Sequence, residues 1–557
     1  MKATTKRGKG EQAREKSGKT GRRETLGSSL LRRHWKAVVT LLFGVLVFLF
    51  WYCCYPQSLC YHEEKQLFLW SVDYFLHDVS IAGGLADWVS EFIVQFFYVT
   101  WMGALLLALL FVAMQWTTYK VALDMIYLGG PREGRGVAMA YALSYVLPLF
   151  FIGLMGDINM LWSFPVAIVA SLGATAAMDA AARKTSRALW IDILVLPVLF
   201  WLIGGGATWL YLLLRLVYAA RGGYGTRLNH ALAYLLAIPY LFGLQTLAGR
   251  TVLQQWPQKS VYIGLNYYLV PMKYPGENYG YDRVVYELLM QDYLVRQQRW
   301  DDIIRRAENY HASSVFSCNC INLALSQKRQ LAERMFDFYQ SGEDALLLHR
   351  VRDNMSTYPT MEAFWRLGLV NSCLRYASDL QESILNFKKS GRLTRRIAEC
   401  HMVNGNYGPA RKNIDLLKQS LFYRHWALKA EKMLGNENAI NADPVLGKVR
   451  RFRFKEDMVF SYSEKEKILG QLFINNPQNT MALDYFLGDL LLKGQHANFL
   501  NYIKWARQYG GYVTIPWGYQ DALRSIQAHG AIPGSPYSEY GKKMMRKQQM
   551  AEEEPEL

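Results

Sequence analysis

Residues 91–115 read EFIVQFFYVTWMGALLLALLFVAMQ, and this stretch decides the fold class because only its first residue is charged. A helix needs roughly 17–25 apolar residues to cross a bilayer. Further apolar runs lie near residues 37–55, 137–155, 158–178, 188–204, 206–220 and 229–249. The sequence therefore predicts an all-α protein whose domain 37–250 is a polytopic transmembrane helical bundle of about seven spans.

The chain consists of two unlike halves. Its 557 residues are 51% hydrophobic, 20% charged and 14% aromatic, but the long apolar runs end near residue 250. Residues 260–557 read as a soluble helical domain. This distribution excludes a purely soluble enzyme and a disordered or collagen-like chain.

The seven cysteines are too few for a disulfide framework. Cys60 with Cys53 or Cys54 is one candidate pair if the compartment is oxidising.

Residues 1–36 form a basic tail. They contain twelve Lys or Arg and three Glu, which gives +9 of the net charge of +17. With almost no core-forming residue, such a segment is predicted to be disordered, and so is a second tail at 541–557. Next to a first span, the basic residues act as a topology signal and contact anionic lipid, an interpretation we favour over nucleic-acid binding.

The short loops test the span order, because cytoplasmic loops carry an excess of Lys and Arg. The loops on the same side as the basic tail contain Lys120, Arg132, Arg135, Arg183, Lys184, Arg187, Arg221 and Arg227. Loops 156–157 and 204–206, on the other side, contain neither residue type. We therefore expect a multi-pass protein of a bacterial inner membrane, with a cytoplasmic N-terminus and a periplasmic C-terminal domain.

The two shortest spans carry charges within the membrane. Asp192 and Arg215 lie at similar depth on antiparallel helices, so one expectation is an intramembrane charge pair. The alternative is that Arg215 extends to the inner interface while Asp192 meets headgroups or Arg187. If spans 188–204 and 206–220 form a re-entrant pair, the count becomes five and the side of the C-terminus stays the same.

Residues 56–90 form a long first outer loop that is rich in acidic side chains. Apolar residues recur there at helical spacing, which predicts an amphipathic helix lying on the membrane surface. Glu63, Glu64 and Asp87 are candidate functional residues, because carboxylates can ligate a divalent metal or act as acid and base. The alternative is that they are solvated faces of interfacial helices. The other acidic or histidine residues nearby are His62, Asp73, His77, Asp78 and Glu91.

The same region carries two resemblances. Its residues Tyr61-His62-Glu63-Glu64, Gly83-Gly84-Leu85-Ala86-Asp87 and Trp101-Met102-Gly103-Ala104-Leu105 resemble a family of uncharacterised polytopic membrane proteins from Bacteroidota, which also have a C-terminal helical region. A weaker architectural resemblance is to GT-C-type membrane glycosyltransferases. It implies that an acidic residue of this loop, here Glu63 or Glu64, is the catalytic base or a metal ligand.

Residues 260–557 contain paired amphipathic helices joined by short polar turns. Trp300 with Ala307, and Tyr407 with Ala410, occupy the aromatic and small-residue packing positions of tetratricopeptide-like (TPR-like) hairpins. The pattern predicts a degenerate TPR-like α-solenoid. A basic loop interrupts it, either as a solvated face or as a contact for an anionic lipid or glycan; its residues are Lys448, Arg450, Arg451, Arg453 and Lys455.

The sequence leaves two function hypotheses open. It has no Ser-His-Asp arrangement, phosphate-binding glycine loop, zinc spacing or dinucleotide fingerprint, so we expect no resident cofactor. The first hypothesis is an inner-membrane protein that presents a periplasmic solenoid to a protein or peptide partner, or for envelope assembly. The alternative is a GT-C-like transferase that acts on a lipid-linked sugar or envelope glycan through the acidic loop, with a divalent metal. We expect no nucleic-acid partner.

Overall fold

The computed structural model describes residues 34–128, 130–182, 188–221, 232, 234–244, 280–309, 314–349, 355–384, 388–454 and 460–529. Within these ranges every regular element is a helix, so the all-α class is confirmed. The predicted disordered tail 541–557 and all but the last three residues of the basic tail 1–36 lie outside the described residues.

The N-terminal half is built around four long apolar helices. In chain order, its helices are α1 His34–Cys54, α2 Pro56–Lys65, α3 Val72–Val79, α4 Gly84–Val94, α5 Thr100–Tyr127, α6 Arg135–Leu143, α7 Val146–Leu154, α8 Ser163–Ala182, α9 Ala188–Ile203, α10 Gly205–Ala220 and α11 Tyr234–Leu244. Helices α1, α5 and α8, and the consecutive pair α6–α7, are long and apolar enough to cross a membrane. Four such segments indicate a membrane protein.

Apolar side chains cover both the inside and the outside of this bundle. Trp51, Phe111 and Trp162 are buried between helices, while Leu41 and Phe150 remain more than half exposed. A soluble protein rarely exposes such continuous apolar surface, but a helix that faces lipid does so at no cost. The pattern fits helices that are surrounded by lipid.

The remaining predicted spans are shorter helices. Spans 188–204 and 206–220 correspond to α9 and α10, each 16 residues long. The described part of span 229–249 is mainly α11, which is also a short apolar helix. Each falls short of the roughly 20 residues that a perpendicular crossing needs. By length and composition, the described residues therefore contain four candidate spans, and the expected seven is not confirmed.

Contacts between helix ends define the direction of each long helix. At one end of the bundle, the Tyr141 hydroxyl of α6 donates to the Lys36 carbonyl of α1 at 2.6 Å. At the other end, Trp51 near the end of α1 packs on Trp162 just before α8, with ring centroids 5.4 Å apart. The Tyr55 hydroxyl donates to the Gly156 carbonyl, which follows α7. Helices α1 and α6–α7 therefore run in the same direction, and α8 begins at the end of the bundle where they finish.

The first loop folds into three helices. The predicted interfacial helix is α3, which begins at Ser71, whose hydroxyl accepts from the Tyr74 amide at 3.2 Å. Its Val72 and Leu76 are exposed. Helix α2 precedes it and is almost entirely buried. Helix α4 follows Gly83, which has the left-handed φ of +86° that glycine adopts without strain.

The C-terminal half is a succession of short helices. They are α12 Arg283–Arg296, α13 Trp300–Asn309, α14 Val315–Gln327, α15 Leu331–Arg334, α16 Tyr358–Leu367, α17 Val370–Glu382, α18 Gly391–Asn404, α19 Tyr407–Lys418, α20 Arg424–Met433, α21 Glu437–Ala442, α22 Leu446–Phe452, α23 Lys465–Asn475, α24 Thr480–Leu492, α25 His496–Gln508 and α26 Trp517–His529. From α16 to α20, and again from α23 to α25, each helix packs against the next in the chain. One apolar core runs through the whole domain.

The predicted packing positions differ in burial. Ala410 on α19 is completely buried, whereas Trp300, Ala307 and Tyr407 are half-buried against the same core. The turn before α19 follows the expected chemistry, because Gly405 ends α18 with a φ of +80°. The Asn406 amide then donates to the His401 carbonyl at 2.8 Å. The α18–α19 pair is therefore a close-packed helical hairpin.

The basic segment is not the open loop that the sequence suggested. Residues 446–452 form α22, because Leu446, Val449 and Phe452 share one buried face. Lys448, Arg450 and Arg451 lie on the same helix, and Arg453 follows it. Lys455, the last member of the segment, lies outside the described residues.

All seven cysteines are free thiols in the structure. Cys60 is buried on α2 and Cys53 and Cys54 are exposed at the end of α1. The candidate disulfide between these positions is therefore not formed here.

We expect Ala410→Arg to destabilise the C-terminal domain by about 3 kcal/mol or more, because it places an unpaired charge in the core. Thermal unfolding of the full-length protein in detergent, followed by circular dichroism, measures the effect. Gly408→Arg is the matched control, because Gly408 is exposed and a side chain there meets no atom within 4 Å. Equal melting of both variants would contradict the assigned hairpin packing.

Candidate functional site

The acidic first loop meets the C-terminal domain through α2. Glu63 and Glu64 are adjacent on the last turn of this helix, and both are buried. Arg296, the last residue of α12, contacts both of them. Its Nη2 atom lies 2.8 Å from Glu63 Oε2, and its Nη1 atom lies 2.9 Å from Glu64 Oε1. One guanidinium therefore bridges two neighbouring carboxylates across the junction.

Further pairs extend this contact into the C-terminal domain. Arg392 Nη1 lies 3.0 Å from Glu64 Oε1 and 2.9 Å from Asp292 Oδ2. The Tyr423 hydroxyl donates to Glu63 Oε1 at 2.9 Å. Removing one member of such a buried group leaves an uncompensated charge, which costs about 3–5 kcal/mol. The junction is therefore held by mutually dependent charges.

Glu362 joins the same network from α16. Its carboxylate lies 2.5 Å from Arg366 Nη1 and 3.1 Å from Arg396 Nη2. Burial alone would raise the pKa of Glu362, but Arg396, Arg366 and Arg392 outweigh burial and hold this pKa well below its ordinary value. We call the whole set the junction network; its members are Glu63, Glu64, Asp292, Glu362 and Glu399 with Arg296, Arg366, Arg392, Arg395 and Arg396.

A second group of charges joins α3 and α4 to the C-terminal domain. Lys388 Nζ lies 2.6 Å from Glu91 Oε1 and 3.1 Å from Asp78 Oδ1. Tyr74 also donates to Glu91. Burial raises the pKa of Glu91 to about 7, although Lys388 opposes this rise. Asp87, the third candidate functional residue, is half-buried and raises the pKa of Lys388 together with Glu91 and Asp78.

Backbone hydrogen bonds and apolar packing complete the junction. The Leu67 amide donates to the Lys389 carbonyl, and the Trp70 amide donates to the Gln419 carbonyl, each at 2.8 Å. The Leu67 side chain belongs to the core of the C-terminal domain. Tyr98, just before α5, stacks on Phe422 with ring centroids 5.2 Å apart. The first loop is thus a structural part of both halves.

The other polar residues of the loop do not converge on a metal site. His62 is buried, and burial lowers its pKa to about 4 against the opposing effect of Asp157. Asp73 and His77 are exposed on α3. Within the described ranges, no group of three or more His, Cys, Asp or Glu side chains could hold a metal ion.

Asp192 and Arg215 are brought together within the membrane half. Arg215 Nη2 lies 2.8 Å from Asp192 Oδ2, and Arg215 Nη1 contacts Asp179 of α8. The hydroxyl of Tyr211 donates to Asp192 at 2.5 Å, and Tyr234 of α11 also donates to it. All of these groups are buried. Asp179 was missed from the sequence, because the pairing of α8 with α10 only becomes evident in three dimensions.

The C-terminal domain contains a large open cleft beside the junction network. Its volume is about 970 Å³. Its wall includes side chains from α12, α16, α18 and α22, the start of α24, and Tyr98 from the membrane end. Eight of its described lining residues are basic, namely Arg296, Arg329, Arg366, Arg392, Arg395, Arg396, Lys448 and Arg451. Two are acidic, Glu362 and Glu399. We call this space the basic cleft.

The residues of the predicted basic loop divide between two environments. Lys448 and Arg451 line the basic cleft. Arg450 instead pairs with Glu437 at 2.5 Å. Arg453 contacts the Asn404 side chain at 3.5 Å. The cleft arginines outside this segment were missed from the sequence, because they come from three separate helices and from the turn after α14, with no common motif.

The comparisons with known proteins identify only a family. One family model matches residues 33–553 and is described as a family of unknown function, DUF6057. No curated protein and no solved structure matches the chain. The expected membership of an uncharacterised family is therefore supported, whereas the findings support neither an origin in Bacteroidota nor similarity to GT-C glycosyltransferases. Because the match covers nearly the whole sequence, this chain belongs to the DUF6057 family of unknown function.

Proposed function

We propose that this protein is a membrane-anchored binding protein that holds a TPR-like helical-repeat domain in a fixed position at one face of the membrane. The observation that carries the proposal is the junction network, in which Glu63 and Glu64 of the first loop pair with Arg296 and Arg392 of the C-terminal domain. A binding domain attached through buried ion pairs keeps a defined height and orientation above the bilayer.

We also propose seven crossings. The first loop follows α1 and contacts the C-terminal domain, so both lie on the same side of the membrane. The chain between the loop and this domain must therefore cross the membrane an even number of times. Helix α9 begins on the α1 N-terminal side and returns to the loop, where the Trp201 indole donates to the Val79 carbonyl at 2.9 Å. Helix α10 runs back, because its Arg215 meets Asp179 near the end of α8. Helix α11 starts beside Asp192 and supplies the last crossing.

The same arrangement supports a sidedness. The end of the bundle that contains Lys36 also contains Lys120, Arg132 and Arg135, which are typical of cytoplasmic loops. The C-terminal domain lies at the opposite end. We therefore assign the protein to a bacterial inner membrane, with the N-terminus in the cytoplasm and the helical-repeat domain in the periplasm.

The geometry favours binding over transferase chemistry. A general base must reach the proton that it abstracts, and a metal ligand needs a free oxygen. Glu63 and Glu64 instead face arginines in a buried junction, not a cavity open to the membrane. The GT-C-like alternative would need this junction to open before either carboxylate could act.

Reporter fusions test the topology. Fusions after residues 36, 127, 184 and 224 should show cytoplasmic activity, and fusions after residues 80 and 300 should show periplasmic activity. A cytoplasmic signal at 300 would contradict both the crossing number and the side of the repeat domain. A cytoplasmic signal at 80 would contradict the order of the first two spans.

A double-mutant cycle separates a docking role of Glu63 from a catalytic one. We expect Arg296→Gln to destabilise the junction by about 3–5 kcal/mol, because it leaves the buried Glu63 without a cation. Glu63→Gln should also destabilise it, because the buried network then has one positive charge in excess, although Arg296 still pairs with Glu64. The double variant, in which the two amides replace the ion pair, should recover much of this loss. Thermal unfolding in detergent gives the coupling energy.

Complementation of a deletion strain completes this test. If Glu63 acts by docking, the double variant should restore growth better than either single variant. If Glu63 is a catalytic base, every variant without its carboxylate should fail, including the double one. Arg299→Ala is the matched control, because Arg299 is an exposed arginine of the turn after α12 and pairs only locally with Asp302.

A further inference from the structure

We propose that the basic cleft binds a phosphate ester, with the phosphate held between α22 and the N-terminus of α24. This inference rests on the proposed binding function and names its ligand class. It begins with the charge balance. The five arginines of the junction network are matched by its five carboxylates, three of which lie behind the cleft wall.

The remaining basic residues of the cleft are in excess. Arg329, Lys448 and Arg451 line it and form no ion pair with any described residue, but Arg329 is close enough to the buried Asp484 carboxylate to oppose the rise of its pKa that burial causes. Lys448 and Arg451 lie three residues apart on α22, so they project from the same face. The buried residues Leu446 and Val449 fix that helix in place. An anion in the cleft would therefore find uncompensated positive charge on a rigid support.

The arginines that line the cleft also carry unused hydrogen-bond donors, although these atoms are themselves shielded from solvent. Arg392 is a lining residue whose side chain is only 9% exposed, yet its Nη2 atom has no hydrogen-bond partner among the described residues. The carboxylate paired with this Nη2 atom is that of Glu362, whose Oε1 atom lies 3.7 Å away, too far for a hydrogen bond. Arg396 Nε is likewise buried without a hydrogen-bond acceptor in the described part of the chain. Guanidinium donors of this kind match the oxygens of a phosphate group.

The start of α24 adds a second kind of hydrogen-bond donor that could hold a phosphate. Asn479, Thr480 and Met481 line the cleft, and α24 has no side-chain cap at its N-terminus. The Asn479 Nδ2 atom donates instead to the Leu367 carbonyl at 2.9 Å. Backbone amides and the helix dipole at an uncapped helix N-terminus favour an anion. Arginines and a helix N-terminus facing one space are the usual components of a phosphate site.

The size and position of the cleft define the ligand further. A volume of about 970 Å³ suits a small molecule or a headgroup, and is too small for a folded partner. Tyr98 lines the cleft two residues before the membrane-spanning α5 begins, so the cleft reaches the membrane surface. Both a soluble phosphate ester and the phosphate of a membrane lipid could therefore enter it.

Binding measurements on the full-length protein test the proposal. Inorganic pyrophosphate is the soluble probe, measured by calorimetry with the protein in zwitterionic nanodiscs. We expect Lys448→Ala combined with Arg451→Ala to weaken pyrophosphate binding more than tenfold, because the double variant loses two charge-assisted contacts. Arg424→Ala combined with Lys432→Ala is the control, since it removes the same charge from exposed positions that do not line the cleft.

A second arm identifies the source of the phosphate. Protein-free vesicles of phosphatidylglycerol or of phosphatidylcholine are added as competitors, and pyrophosphate binding to the nanodisc-embedded protein is measured again. Selective competition by phosphatidylglycerol supports a lipid phosphate, and its absence supports a soluble ester. No pyrophosphate binding, or equal loss in both double variants, would overturn the phosphate site. Because none of the four altered residues belongs to the junction network, such a failure would leave the docking cycle and the proposed binding function untouched.

Discussion

The structure depends on two adjacent carboxylates that must be neutralised away from water. Glu63 and Glu64 emerge directly after the first membrane helix and are buried under the C-terminal domain. Burying an ionised carboxylate costs several kcal/mol unless a cation and further hydrogen bonds compensate it. Arg296, Arg392 and Tyr423 supply that compensation. The position of the C-terminal domain against the membrane half follows from this requirement.

The same principle operates within the bilayer region. Arg215 is buried among Asp179, Asp192 and two tyrosines, so no member of the group faces lipid. The group ties together α8, α9, α10 and α11, of which α9, α10 and α11 are shorter than the four long membrane segments. Short helices bury little apolar area. Polar contacts between specific partners therefore do much to fix how these helices pair and align. Buried charged groups thus hold helices together both at the junction and within the membrane half.

The sequence predicted the periodic parts of this fold well. Long apolar runs gave the four membrane helices, and the Gly405 turn with Ala410 gave a close-packed hairpin, because both signals are local. The charge partners could not be predicted in the same way. Glu63 and Arg296 are 233 residues apart, and a carboxylate followed by apolar sequence is equally consistent with solvation, catalysis or pairing. The basic segment was partly misread because its three apolar positions place it on a helix.

The distance along the chain between these partners also sets an order of events during synthesis. Helix α2 leaves the ribosome long before Arg296 and Arg392 are synthesised. Glu63 and Glu64 therefore remain hydrated while the later membrane helices insert. Contacts between such distant segments form late, since closing a long loop carries an entropic cost. The surface that the membrane half presents to the C-terminal domain is therefore complete only after Tyr423 has been made, and the acidic loop is the part of the nascent chain that lacks its partners until then.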